Sequence, residues 1–121
     1  MSSINKVFLM GNLGRDPVLR FTPQGKPVAT FSLATTERWT NKEGQKQEHT
    51  EWHNIVFWGP LAETANKYLK KGSRCHVEGR LTSRSWEKDG QKRYRTEIQG
   101  LSLTFLDKAD NSKQEEPFSP P

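Results

Sequence analysis

The sequence holds one cysteine, Cys75, and no apolar run long enough to span a membrane. A lone thiol excludes an internal disulfide framework and fits a reducing compartment. A spanning helix needs about 20 consecutive apolar residues, and no stretch here approaches that. The opening segment, MSSINKVFLMGNLG, lacks the charged, apolar and cleavage-site order of a secretory signal. A soluble, cytoplasmic protein is therefore expected. Apolar residues are also scarce, at 31% of 121 positions, so one small core is expected, with little room for a second domain.

Catalytic and metal-binding patterns are missing too. There is no Gly-rich phosphate loop, no Ser/His/Asp arrangement and no carboxylate pair in a catalytic context. His49 and His53 are four residues apart, which on a strand separates them by roughly 13 Å. Cys75 and His76 are adjacent and point to opposite faces of a strand. Neither an enzyme nor a metal or cofactor site is expected. His53 and His76 read better as polar strand or interface residues than as acid–base groups.

What the chain does have is positive charge, strands and tryptophan. The formal charge is +5, and the last 14 residues hold two lysines against three acids, so the basicity belongs to residues 1–107. A basic body suits a polyanion, because neutralised phosphates release counterions. Strand signals dominate. Ile4–Leu13 ends at the turn cluster Gly14-Arg15-Asp16-Pro17, and Pro23–Pro27 is a second turn before Val28–Thr36. Asn41–Lys46 reads as the tip of a long polar hairpin that returns as Thr50–Trp58. Between Gly59 and Gly72 the spacing of Leu61, Ala62, Ala65, Tyr68 and Leu69 is helical, with Pro60 in the first turn and Lys70 and Lys71 in the last. Arg74–Trp86 and Arg93–Leu106 follow, joined at Lys88-Asp89-Gly90-Gln91, with a bulge expected at Gly100 where the apolar parity changes. One helix between the third and fourth of five strands predicts an all-β OB-fold, a five-stranded Greek-key barrel with long hairpins. Residues 1–107 form that domain; residues 108–121 read as a short disordered tail.

Alternation then sorts the side chains. In Thr50–Trp58, Ile55 and Phe57 are natural core residues, so Trp52 and Trp58 face outward with Asn54 and Val56. In Arg74–Trp86, Cys75, Val77, Gly79 and Leu81 form the inward set, and Arg74, Arg80, Arg84 and Trp86 share the other face. Strict alternation puts Trp39 inward with Phe31 and Leu33, while a twist or bulge near the hairpin would turn it out; the residues leave both open. Exposed indoles beside guanidinium groups are what a single-strand groove needs, since indoles stack bases and arginines track phosphates. The competing role for Trp52, Trp58 and Trp86 is cover over a core or a subunit interface.

These segments carry a resemblance. Asn5-Lys6-Val7 leads to Gly11-Asn12-Leu13-Gly14-Arg15-Asp16-Pro17, then Ser32-Leu33-Ala34-Thr35 and Thr50-Glu51-Trp52-His53. Leu61-Ala62-Glu63, Tyr68-Leu69-Lys70-Lys71-Gly72-Ser73 and Val77-Glu78-Gly79-Arg80-Leu81 complete the series. In this order and spacing, residues 3–106 resemble the bacterial-type single-stranded DNA-binding protein family (SSB). The resemblance implies a homotetramer that coats single-stranded DNA in replication, recombination and repair, without catalysis or strong sequence preference, in a cytoplasmic, nucleoid-associated setting. It places the stacking aromatics at Trp39, Trp52, Trp58 and Trp86, the third being usually Phe in the family, and so favours an exposed Trp39. Its basic positions fall on Lys6, Arg20, Lys42, Lys71 and Arg84, and on Lys46 in a hairpin of different length. Pro60 and Ser85 stand where the family commonly has basic residues.

The tail departs from the pattern. Family members commonly end in a Gly/Gln/Pro-rich linker and an acidic tip closing on Pro-Phe, which docks replication and repair proteins. Here the linker is nearly absent, and Glu115-Glu116-Pro117-Phe118 resembles the tip but is followed by Ser119-Pro120-Pro121. Two other functions fit an OB-fold: an RNA binder of cold-shock type, and a dimeric primosome-type accessory protein. The dense aromatic set argues against the second.

Overall fold

The computed structural model describes residues 2–107. Six strands and one helix follow in the order β1 (Val7–Leu13), β2 (Val18–Phe21), β3 (Pro27–Thr40), β4 (Lys46–Trp58), α1 (Pro60–Tyr68), β5 (Arg74–Lys88) and β6 (Gln91–Phe105). The sheet runs β1-β5-β6-β4-β3, and a further β1–β3 pairing closes it into a five-stranded barrel. Two short seams make the closure. β1 leaves β5 and meets β3 at Asn12↔Ala34 and Leu13↔Leu33. β4 and β6 pair in parallel at Ile55↔Ile98 and Val56↔Gln99. This is the expected OB-fold, with one additional strand.

That strand, β2, has only four residues between Pro17 and Pro23, too few for alternation to reveal. It pairs solely with the start of β3, from Val18↔Thr30 to Phe21↔Pro27, and so extends the wall beside β1. The two hairpins are longer than the alternating patterns suggested. β3 and β4 pair without interruption from Val28↔Trp58 to Thr40↔Lys46. Their turn is organised by Asn41, whose Oδ1 accepts from the amides of Glu43 and Gln45. β5 and β6 turn on Asp89 and Gly90, both at positive φ, as a tight two-residue hairpin requires. The register shift between β5 and β6 pairs Glu78 with Ser102 and Gly79 with Gly100. Leu101 is the extra residue, next to the glycine where the bulge was expected.

The core contains Phe31, Leu33, Ile55, Phe57, Val77 and Ile98, capped by Ala62, Ala65 and Leu69 of the helical segment. Ile55, Phe57, Cys75 and Val77 are inward as parity requires. Leu81 is not: it is 48% exposed, because β5 runs past the barrel wall before its parity reaches that residue. The helix starts at Pro60 as expected but stops at Tyr68, so Lys70 and Lys71 lie in the following turn, and Lys67 is the cation of the last turn. Cys75 is fully buried. Burial and the nearby Asp107 charge push its thiol from 9.0 up to about 11, which keeps it neutral and unreactive near pH 7.

Candidate nucleic-acid interface

β2, β3, β4 and the β5–β6 hairpin frame a groove of about 480 Å³ on the outer wall of the barrel. Its floor is Thr30, Ser32, Asn54 and Val56, and Trp58 stands at one side. Arg15, Arg20, Arg84 and Arg95 line it, with Glu97 as the one acid among the described residues there. The strand pattern explains the assembly. Trp52, Asn54, Val56 and Trp58 share the face of β4 opposite Ile55 and Phe57. Across β5 and β6, Arg84 is registered against Arg95 and Trp86 against Arg93, so these pairs share a face.

All four tryptophans are exposed, between 39% and 56%. An indole open to this extent in so small a domain is surface that the core does not use. Each is held differently. Lys26 Nζ lies 5.4 Å from the Trp58 ring centroid, and the Arg84 guanidinium lies 5.3 Å from that of Trp86. Trp52 rests on Gly14: a Cβ built there would fall 2.6 and 2.9 Å from Cζ3 and Cη2 of the indole. Gly14→Ala is accordingly expected to displace the Trp52 ring, shifting tryptophan emission while the melting temperature stays close to that of the parent. An unchanged emission spectrum would contradict the contact.

Trp39 is exposed, as the resemblance favoured, but without the bulge or twist that alternation called for. The unbroken β3–β4 register leaves no bulge, so Trp39 keeps the parity of Phe31 and Leu33. It is nevertheless 49% exposed, because that face of the hairpin has left the core behind. Trp39 and Trp52 therefore occupy opposite faces of one hairpin.

The basic residues divide into two groups. Arg20 and Arg84 line the groove, and Arg15 and Arg95 join them. In the sequence Arg95 is only one of several hairpin charges, and Arg15 only part of a turn; their convergence is a product of topology. Arg95 Nη2 donates to Asn54 Oδ1 at 2.6 Å. Arg80 follows Arg84's parity but donates to Gln99 Oε1, outside the groove lining. Lys42 lies at the β3–β4 tip and Lys46 opens β4. Lys71 is tied to the β1–β2 turn, its amide donating to Asp16 Oδ1 at 2.8 Å. Lys6 and Arg74 are elsewhere: Lys6 pairs with Glu78 at 2.8 Å, and Arg74 Nη2 donates to Met10 Sδ, both on the outer face of β1 and β5. Glu115, Glu116, Pro117 and Phe118 lie outside the described residues.

His49 and His53 go to different partners, Glu51 at 3.1 Å and Thr35 at 2.9 Å. Among the described residues, no group of three or more His, Cys, Asp or Glu is arranged to hold a metal ion, and no helix is long and apolar enough to cross a membrane.

Against known proteins, residues 4–106 match the model of the single-strand binding protein family. This chain belongs to that family. Single-stranded DNA-binding protein 1 of Xylella fastidiosa (strain 9a5c) is 51% identical over 116 residues, covering 93% of this chain and 85% of that protein. Among solved structures, a Plasmodium falciparum SSB in complex with ssDNA superposes with a TM-score of 0.80 at 38% identity, over 88% of this chain and 98% of that one. A deletion mutant of the single-stranded DNA-binding protein from Thermus aquaticus gives a TM-score of 0.76 at 35% identity, over 88% and 52%. The family match spans the whole barrel, from residue 4 to residue 106.

Proposed function

We propose that this protein binds and coats single-stranded DNA without strong sequence preference, as a non-enzymatic homotetramer acting in replication, recombination and repair. The observation that carries the reading is the groove: four arginines converge on a floor of Thr30, Ser32, Asn54 and Val56, with the exposed indole of Trp58 at one side. The solved SSB–ssDNA complex of the same fold supports the choice of ligand. Trp52, Trp58 and Trp86 serve as stacking platforms around the groove, and Trp39 serves strand segments passing over the other face of the hairpin. Arg20, Arg84, Lys42, Lys46 and Lys71 contact phosphates. Lys6, Arg74 and Arg80, engaged elsewhere, are the weaker candidates of that set. Stacking supplies the preference for unpaired DNA, since duplex bases do not present their faces, and it tolerates any sequence.

On this reading, residues 1–107 are the binding domain, and Glu115-Glu116-Pro117-Phe118 in the 108–121 tail is the candidate contact for replication and repair proteins. The setting is cytoplasmic, at the nucleoid. Adding oligo(dT) is expected to quench tryptophan fluorescence strongly, and an unaltered spectrum at low salt would sink the stacking model. Oligo(rU) of equal length should compete more weakly; equal or stronger competition would favour an RNA target. A solution mass near four chains of 13.9 kDa is expected, against two for an accessory dimer.

A further inference from the structure

A carboxylate does not belong, at first sight, in a groove that takes up a polyanion. Glu97 nevertheless lies in the groove wall, with its side chain only 13% exposed. Its Oε2 forms ion pairs with both arginines, lying 3.2 Å from Arg84 Nη2 and 4.0 Å from Arg95 Nε. Those two arginines are directly opposite one another across β5 and β6. Like charges in that relation repel and splay apart, yet here both guanidinium groups remain at the groove.

The surrounding contacts explain how. One oxygen of Glu97 is shared by both arginines, which offsets their repulsion. Arg95 is then tied to β4 through Asn54 at 2.6 Å, and Arg84 is laid against the Trp86 ring at 5.3 Å. Arg84 and Arg95 remain 60% and 46% exposed, so each keeps N–H donors free for another acceptor. A guanidinium has five donors and no acceptor, and one contact to Glu97 leaves most of them available.

We infer that Glu97 is a positioning residue for phosphate binding. It is not a phosphate contact. Its half-buried carboxylate fixes Arg84 and Arg95 as a paired clamp, so that a phosphate meets two preordered guanidinium groups. The inference rests on the single-stranded DNA reading of the groove. It makes a prediction opposite in sign to simple charge counting: removing a negative charge from a basic groove should strengthen polyanion binding, whereas loss of the clamp should weaken it.

The test is oligo(dT) binding by Glu97→Gln and Glu97→Asp across a salt series. Gln keeps the shape and loses the charge; Asp keeps the charge and withdraws the oxygens by one methylene. Both are expected to weaken binding about fivefold to tenfold, the scale of one net hydrogen bond to phosphate lost when a guanidinium is no longer held in place. The slope of log K against log [salt] should become shallower by about 0.7 for each phosphate that is no longer neutralised. In an Arg84→Ala/Arg95→Ala background the Glu97→Gln effect should vanish. Parental or tighter binding by Glu97→Gln would overturn the inference, as would weaker binding with an unchanged salt slope. If Glu97→Gln fails to fold, Glu97→Asp carries the same comparison. A parent protein that does not bind oligo(dT) would instead overturn the underlying reading.

Discussion

Replacing Trp52 and Trp86 together with alanine should all but abolish single-strand binding while leaving the barrel intact. Each stacked base is worth roughly 1–3 kcal/mol by alanine substitution. The two indoles share no partner: Trp52 rests on Gly14, and Trp86 lies against Arg84. Separate sites with no common neighbour add approximately, so the double variant should lose roughly 2–6 kcal/mol, a factor from about 30 to about 10⁴ in Kd. Both rings are substantially exposed, at 56% and 39%, so little core burial is forfeited and the melting temperature should move by only a few degrees. Anisotropy of a labelled oligo(dT) reads the affinity independently of the missing fluorophores. Full affinity in the double variant, with an unaltered fold, would return both tryptophans to a packing role.

The single variants should differ in character. Trp86 helps hold Arg84, so Trp86→Ala removes a stacking surface and loosens a cation. Trp52→Ala removes stacking surface alone, and its salt slope should match the parent's. Parity in the sequence already sets Trp86 on the face of Arg84; the fold adds the contact of that guanidinium with the ring.

Much of the interface is nonetheless legible in the chain itself. Period-two alternation is a strong signal where a strand has one buried face, and it sorts Trp52 and Trp58 from Ile55 and Phe57. It fails where the strands outrun the core. Trp39 and Leu81 both carry inward parity, and both are exposed, because inward has meaning only while there is a core to face. Alternation also cannot register a four-residue strand, so β2 is invisible to it although it supplies Val18 and Arg20 to the groove. Nor does parity on one strand say which strands become neighbours. The meeting of Arg15, Arg84, Arg95 and Glu97 depends on β4 pairing β6 and on the β1–β2 turn folding beside β3. The same limit explains Lys6 and Arg74, which are equivalent to the other basic residues until the fold sets Glu78 and Met10 next to them.

The largest expected effect on stability lies away from the indoles, at Gly11. β1 must pair with β5 along most of its length and still reach β3 at Asn12 and Leu13, which brings its backbone against that of β3 at one point. Gly11 is buried there, and a Cβ on it would collide with the carbonyl oxygen of Ala34 and lie 3.0 Å from its carbon. The obstacle is backbone already fixed by strand pairing, so it cannot swing away as the Trp52 ring can from Gly14. Overpacking in closed structure costs typically 1–3 kcal/mol and occasionally more, and here the displaced segment is the seam that closes the barrel. Gly11→Ala is therefore expected to cost about 3 kcal/mol, a large share of the roughly 5–15 kcal/mol that holds a domain together. At about 4–8 °C per kcal/mol for a domain near this size, the midpoint should fall by roughly 10–25 °C at matched protein concentration. Gly14→Ala is the internal control, since the same added methyl meets a mobile side chain. Melting within a few degrees of the parent for Gly11→Ala would mean that β3 yields at Ala34, and that the β1–β3 seam is not the rigid closure its geometry implies.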